Sequence, residues 1–179
     1  MKLPIRLVLF CLVVVTAAEA KQTIKFPESD PAFSFTLPDD WTTSAGENGA
    51  LVCKAGDETG YALSIIPLKG MPDMTGEEEV KAYLLKLAEN MARQAKITDL
   101  DRGAMQEMTN VKDVRLFGLN ATGKQGTTEM IVSVVAFAPI TDTYFVLAAA
   151  STALIDKSKE WVLNEIVDSI TPISAKASR

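Results

Sequence analysis

Two near-continuous apolar runs, Met130 to Phe137 and Tyr144 to Ala150, constrain this chain more than any other feature. A strand with one wet face alternates polar and apolar side chains. A run without that alternation suits a central strand covered on both faces. Pro139 to Asp142 lies between the runs and predicts a tight reversal, so the pair should form an antiparallel hairpin. The rest of the chain must then supply two covering layers.

Two amphipathic helices are available for this. Thr75-Gly76-Glu77-Glu78 fits a capping box, with acidic residues placed at the positive end of the helix dipole. Val80, Leu84, Leu87, Met91 and Ala95 follow at spacings of three and four, and Tyr83 and Ala88 widen the stripe. Lys81, Lys86, Glu89 and Arg93 fall largely on the other side, which predicts a helix of about five turns laid on a sheet. A second helix is expected from about Leu154 to Ile170, with Trp161, Val162, Ile166 and Ile170 as its apolar face. Thr171-Pro172 ends it.

The remaining strands are shorter. Thr23 to Phe26, Phe33 to Leu37, Ala50 to Lys54, Tyr61 to Leu68 and Val114 to Ala121 carry strand patterns. Ile97 to Met108 is weakly patterned and could hold another. Gly123 to Gly126 reads as a turn. The expected class is α+β, an α/β/α sandwich with a central antiparallel sheet flanked by two main helices.

Residues 1–20 read as a cleavable signal peptide. Lys2 and Arg6 open it, Leu7 to Val15 is an apolar run, and Ala18-Glu19-Ala20 offers a cleavage site before Lys21. A spanning helix needs about 20 apolar residues, so a membrane anchor is disfavoured. Lipid attachment at Cys11 is disfavoured because Phe10 precedes it. The expected organisation is a leader over 1–20, one domain over 21–174 and a frayed tail over 175–179. The expected location is secreted or periplasmic. Removing Lys2, Arg6 and Glu19 leaves 16 basic and 22 acidic residues, a charge of −6.

Composition excludes several chemistries. There is no histidine, so neither a Ser-His-Asp nor a Cys-His centre can form, and no metal can be held by imidazole. The acidic balance argues against a nucleic-acid binder. Cys53 would be the one thiol after cleavage, and its place in a strand predicts a buried small hydrophobe rather than a reactive group.

Several local phrases match a known pattern. Phe33-Ser34-Phe35-Thr36-Leu37-Pro38 followed by Trp41 resembles the F-x-F-x-x-P-x-x-W opening of the PsbP/Mog1-like superfamily. The apolar strand Tyr144 to Ala150, the helix carrying Trp161 and its close at Asp168-Ser169-Ile170 resemble the end of that family. The resemblance covers most of residues 21–174. It implies an antiparallel sheet sandwiched by helices, and an accessory, chaperone-like or binding role. Plant and cyanobacterial members attend photosystem II, and Mog1 proteins bind a small GTPase in the nucleus. An exporting leader argues against the nuclear role. The absence of histidine and the acidic charge leave no photosystem residue to carry across.

The candidate sites each have a plainer reading. Asp39-Asp40 and the Asp99/Asp101 pair could serve acid–base or cation chemistry, but Asp39-Asp40 suits a turn. Ser158-Lys159 and Ser64 with Lys69 are formal Ser-Lys pairs without special spacing. Met71, Met74 and Trp41 could form a binding surface, or else staple a helix and plug a sheet edge. Asn120-Ala121-Thr122 is a glycosylation sequon. No catalytic residue, cofactor or metal is assigned. The leading expectation is an exported, non-enzymatic accessory or binding protein that recognises a protein partner, as a monomer or weak oligomer. One alternative is a carrier of a small apolar ligand in a sheet–helix pocket lined by residues such as Leu84, Met91 and Val134. The other is a carboxylate-dependent enzyme, which requires those aspartates to converge.

Overall fold

The structure is a computed structural model, and it describes residues 20–68, 77–140 and 143–173. The leader through residue 19, Lys69, Met71, Met74, Thr75, the middle of the 139–142 reversal and the tail from 174 lie outside the described residues. In chain order the elements are β1 (Lys21–Phe26), β2 (Phe33–Pro38), β3 (Thr42–Ala45), β4 (Leu51–Lys54), β5 (Ala62–Leu68) and α1 (Glu77–Gln94). β6 (Thr98–Arg102), β7 (Gln106–Thr109), β8 (Arg115–Gln125), β9 (Thr128–Ile140), β10 (Thr143–Thr152), α2 (Ala153–Ser169) and β11 (Thr171–Pro172) follow.

The two apolar runs form the middle of an antiparallel sheet ordered β3-β4-β5-β10-β9-β8-β6, with β7 also paired to β8. Register splits their side chains into two rows, because successive residues point to opposite faces. One row aligns Phe117, Ala136 and Val146, then Leu119, Val134 and Ala148. The other aligns Leu116, Phe137 and Phe145, then Gly118, Val135 and Leu147. Each row enters its own core cluster.

α1 covers the first row. Its most buried stripe is Val80, Leu84, Ala88 and Ala92, with Leu87 and Met91 on the flank. The small residues Ala88 and Ala92 let the helix lie close to the sheet, so the larger Leu87 and Met91 fill the margin. The buried stripe is therefore rotated from the Leu87–Met91 line that spacing alone suggests.

The second row is covered by two elements. α2 packs on β2, β10 and β9. A second antiparallel sheet, β1-β2-β11, is added to the architecture expected from pattern. It inserts Phe26, Phe33 and Phe35 into the core, and the Phe33 ring lies 4.8 Å from Phe145 and 5.2 Å from Phe137. Edge-to-face packing of this kind adds to the area buried.

Two local expectations are corrected. β8 runs through Gly123 to Gln125 instead of turning there, because a Cβ at Gly123 would stand 2.5 Å from Ile97 Cγ2. The glycine admits β6 to the sheet rather than ending the strand. On α2, Val162, Ile166 and Ile170 are buried, but Trp161 is 50% exposed and stands outside the apolar face.

Phe33→Ala should lower the unfolding free energy by about 3–5 kcal/mol, since the ring sits where both layers of this core meet. Urea denaturation measures it. A loss below about 1 kcal/mol would show that the aromatic cluster does not tie the small sheet to the large one.

Candidate functional site

α2 shares its face of the sheet with β1 and β2, so it leaves part of that face uncovered. A cleft of about 380 Å³ lies there, between α2 and strands β7, β8 and β9. Its floor is the second side-chain row followed away from the aromatic cluster. Along β8 this row reads Leu116, Gly118, Asn120, and along β9 it reads Phe137, Val135, Ser133, Ile131. It changes from aromatic and aliphatic to polar at Asn120 and Ser133, with Ile131 beyond them. The α1-facing row stays apolar throughout, as Phe117, Leu119, Ala121 and Val132, Val134, Ala136.

The helical wall comes from the flank of α2 turned away from β1 and β2. Asp156, Glu160 and Asn164 stand at four-residue spacing, with Leu163 and Val167 beside them. The opposite wall holds Gln106 and Met108 of β7. At Gly118 a Cβ would meet Met108 Cε at 3.6 Å and Val135 Cγ2 at 3.9 Å, which is ordinary contact. The missing side chain is thus part of what keeps the cleft open.

Both ends of α2 are fixed. Thr152 Oγ1 accepts a hydrogen bond from the Ile155 amide at 3.3 Å, a standard N-cap. At the other end Asn110, 6% exposed, donates through Nδ2 to the carbonyls of Val167 and Ile170, each at 3.0 Å. Its Oδ1 accepts from the amides of Lys112 and Val114. The two bonds from Nδ2 supplement the Ile170 amide at the Val167 carbonyl and give the Ile170 carbonyl a donor at the end of the helix.

Two polar groups in the cleft are unusual. Ser133 is 6% exposed, and its hydroxyl has no hydrogen-bond partner among the described residues. That hydroxyl is open to the cleft and can be met by water, whereas the side-chain polar atom that is both buried and unpaired among the described residues is Tyr61 Oη. Burial holds the Asp156 carboxyl above its ordinary pKa; a long, 3.5 Å hydrogen bond from Ser151 opposes this and the Glu160 charge adds to it. Neither Asp156 nor Glu160 forms an ion pair among the described residues.

The residues singled out in the sequence fall elsewhere. Trp41 is buried at 3% exposure and packs edge-on against Tyr61, so it offers no face to a ligand; this corrects its place in a binding surface. Burial also pushes up the pKa of Tyr61, and the Asp156 charge adds to the shift. Asp39 and Asp40 are exposed after β2, beside the β3 edge of the large sheet, whereas Asp99 and Asp101 are exposed on β6 at the other edge. The four carboxylates do not converge. Among the described residues no group of three or more His, Cys, Asp or Glu could hold a metal ion. Ser158 Oγ donates to the Ile155 carbonyl and Lys159 pairs with Asp57, so these two form no catalytic dyad. Leu84 and Val134 are sealed in the α1-side core with Met91 half-buried beside them, which fills the pocket expected for an apolar carrier. Asn120 stands on the cleft floor. Lys21 begins β1 and pairs with Glu165 of α2, and the Ala20 carbonyl accepts from the Asp39 amide.

The cleft residues left one mark in the sequence. Ser133 is the polar interruption of the Met130 to Phe137 run. Asp156, Glu160 and Asn164 mark one flank of a helix, but only the fold shows that this flank overhangs the sheet.

No protein-family profile matches the chain, and neither does any curated protein. Solved structures do match. The cyanobacterial PsbP (CyanoP) of Synechocystis superposes with a TM-score of 0.61 at 9% identity, covering 89% of this chain and 96% of that one. The Saccharomyces cerevisiae Ran-binding protein Mog1p gives 0.58 at 12% identity, covering 87% and 96%. LpqN of Mycobacterium tuberculosis, involved in cell envelope biogenesis, gives 0.54 at 15% identity, covering 85% and 92%. The chain therefore has the PsbP/Mog1-like α+β fold, and at these identities the likeness establishes the fold alone.

Burial in the sheet pushes the Cys53 thiol up to about 12, and the residue is fully enclosed. A raised pKa keeps the thiol neutral below that value, and the thiolate is the nucleophile. Alkylation of Cys53 by iodoacetamide at pH 8, followed by peptide mapping, should therefore proceed only as fast as the protein unfolds. Rapid labelling of Cys53 in the folded protein would contradict this.

Proposed function

We propose that this protein is an exported, non-enzymatic accessory protein that recognises a partner polypeptide, and that the cleft beneath α2 is its recognition site. The observation that carries this reading is Ser133. Its hydroxyl bonds no protein group among the described residues and opens on the floor of the cleft, within an otherwise two-sided apolar strand, which suits it to an incoming ligand. Around it the cleft is lined about equally by apolar and by polar or charged side chains, which gives an incoming segment both apolar and hydrogen-bonding contacts.

The neighbours in fold support a binding role. Mog1p is a Ran-binding protein, and LpqN takes part in cell envelope biogenesis. Among the described residues no helix is long and apolar enough to cross a membrane. Export rests on the leader: Lys2 and Arg6, the run from Leu7 to Val15, and Ala18-Glu19-Ala20. The mature chain then begins at Lys21, the first residue of β1, as a single domain through 174.

Two measurements test this. N-terminal sequencing of the protein recovered from an exporting host should read from Lys21, and a start at Met1 would exclude the leader. A Cβ at Gly118 meets only side-chain atoms at ordinary contact distance, so Gly118→Leu puts a side chain on the cleft floor. Affinity purification of the tagged protein from its own host should yield a stoichiometric partner with wild type and lose it with Gly118→Leu, at unchanged melting temperature. A partner retained by both forms would place recognition outside the cleft.

A further inference from the structure

Resting on that reading, we infer that the cleft selects an extended segment carrying a basic residue and, about three positions away, an apolar one. The cleft runs alongside α2 from Asp156 to Val167. At 1.5 Å per residue this is about 16 Å, the length of roughly five residues in extended conformation. Its two ends differ in chemistry. Near the start of α2 the polar groups are Asp156, Lys157, Glu160, Ser133 and Asn120, with Ile131 beside them. Near the end of α2 they are Leu163, Val167, Met108 and Val135, with Gly118 below.

The acidic end carries two carboxyl groups without an ion pair among the described residues. Asp156 and Glu160 are one helical turn apart, an arrangement that destabilises a helix when both are ionised. Lys157, exposed, also lines the cleft but forms an ion pair with neither carboxylate among the described residues. An incoming ammonium or guanidinium would offset this repulsion and leave a donor for the Ser133 hydroxyl. The aliphatic stem of Lys or Arg suits the half-buried walls between. About seven residues of helix separate the middle of the acidic end from that of the apolar end. This is about 10 Å, or three residues of extended chain.

The test is to pan a random heptapeptide library against the protein as processed by its exporting host. Enriched peptides should carry Lys or Arg with an apolar residue about three positions away. A representative peptide should bind Asp156→Asn and the exposed Glu160→Gln each about tenfold more weakly than wild type, and should not bind Gly118→Leu measurably. Circular dichroism confirms that each variant is folded, and Glu160→Gln alters only a surface residue. Peptides that need the open cleft yet show no basic preference would overturn this inference and leave the cleft reading standing. Peptides indifferent to Gly118→Leu, or no enrichment at all, would overturn both. Agmatine binding as tightly as the peptides would assign the acidic end to a free amine and overturn the segment.

Discussion

The β9–β10 pairing is the constraint on which the remaining structure depends. Its two strands are apolar on both faces, so neither face can be left to water. The sheet must be covered twice, and the two covers differ in kind. On one side a single long helix suffices, because Ala88 and Ala92 let α1 settle close to Val132, Val134 and Ala136. On the other side the row is headed by Phe137 and Phe145, and these large rings need more than a helix to enclose them. β1 and β2 supply Phe26, Phe33 and Phe35, and α2 takes the ground that remains.

The cleft follows from that division. A helix that must also pack on β2 cannot centre itself over β8 and β9, so one flank overhangs the sheet. Side chains beneath the overhang are released from the demand for apolar packing, and the row turns polar at Asn120 and Ser133. The overhang is held in place by contacts at both ends of α2. Thr152 fixes the start, and the two hydrogen bonds from Asn110 Nδ2 fix the finish. Lys21 with Glu165, and the Thr36 amide donating to Ser169 Oγ, tie the helix to the β1–β2 side. The cleft is thus bounded by restrained elements, which favours a preformed site.

Much of the fold was legible in the sequence, because it rests on periodicity. The central strands, the two helices and their placement on opposite faces follow from apolar spacing and turn residues. Where the reading fell short, tertiary packing had decided the outcome. Thr42 to Ala45 is a polar edge strand with no buried side chain to announce it. β6 and β7 are mostly exposed and carry no strong alternation. Gly123 looks like a turn until β6 is seen against it. The site was hardly legible at all. Asp39, Asp40, Asp99 and Asp101 drew attention as pairs, yet pairing along the chain does not bring the pairs together in space. Ser133, Asn120 and Asp156 belong to three different elements, and only the sheet register and the tilt of one helix bring them to the same cleft.

The most direct measurement of whether recognition runs through the α2 face is site-specific photo-crosslinking in the native host. A photoreactive residue would be placed at Asn164, on the cleft wall, and in a second form at Lys86, exposed on α1 across the sheet. Recognition in the cleft requires a discrete cross-linked partner from Asn164 and none from Lys86. The same partner captured from Lys86, with Asn164 silent, would contradict it.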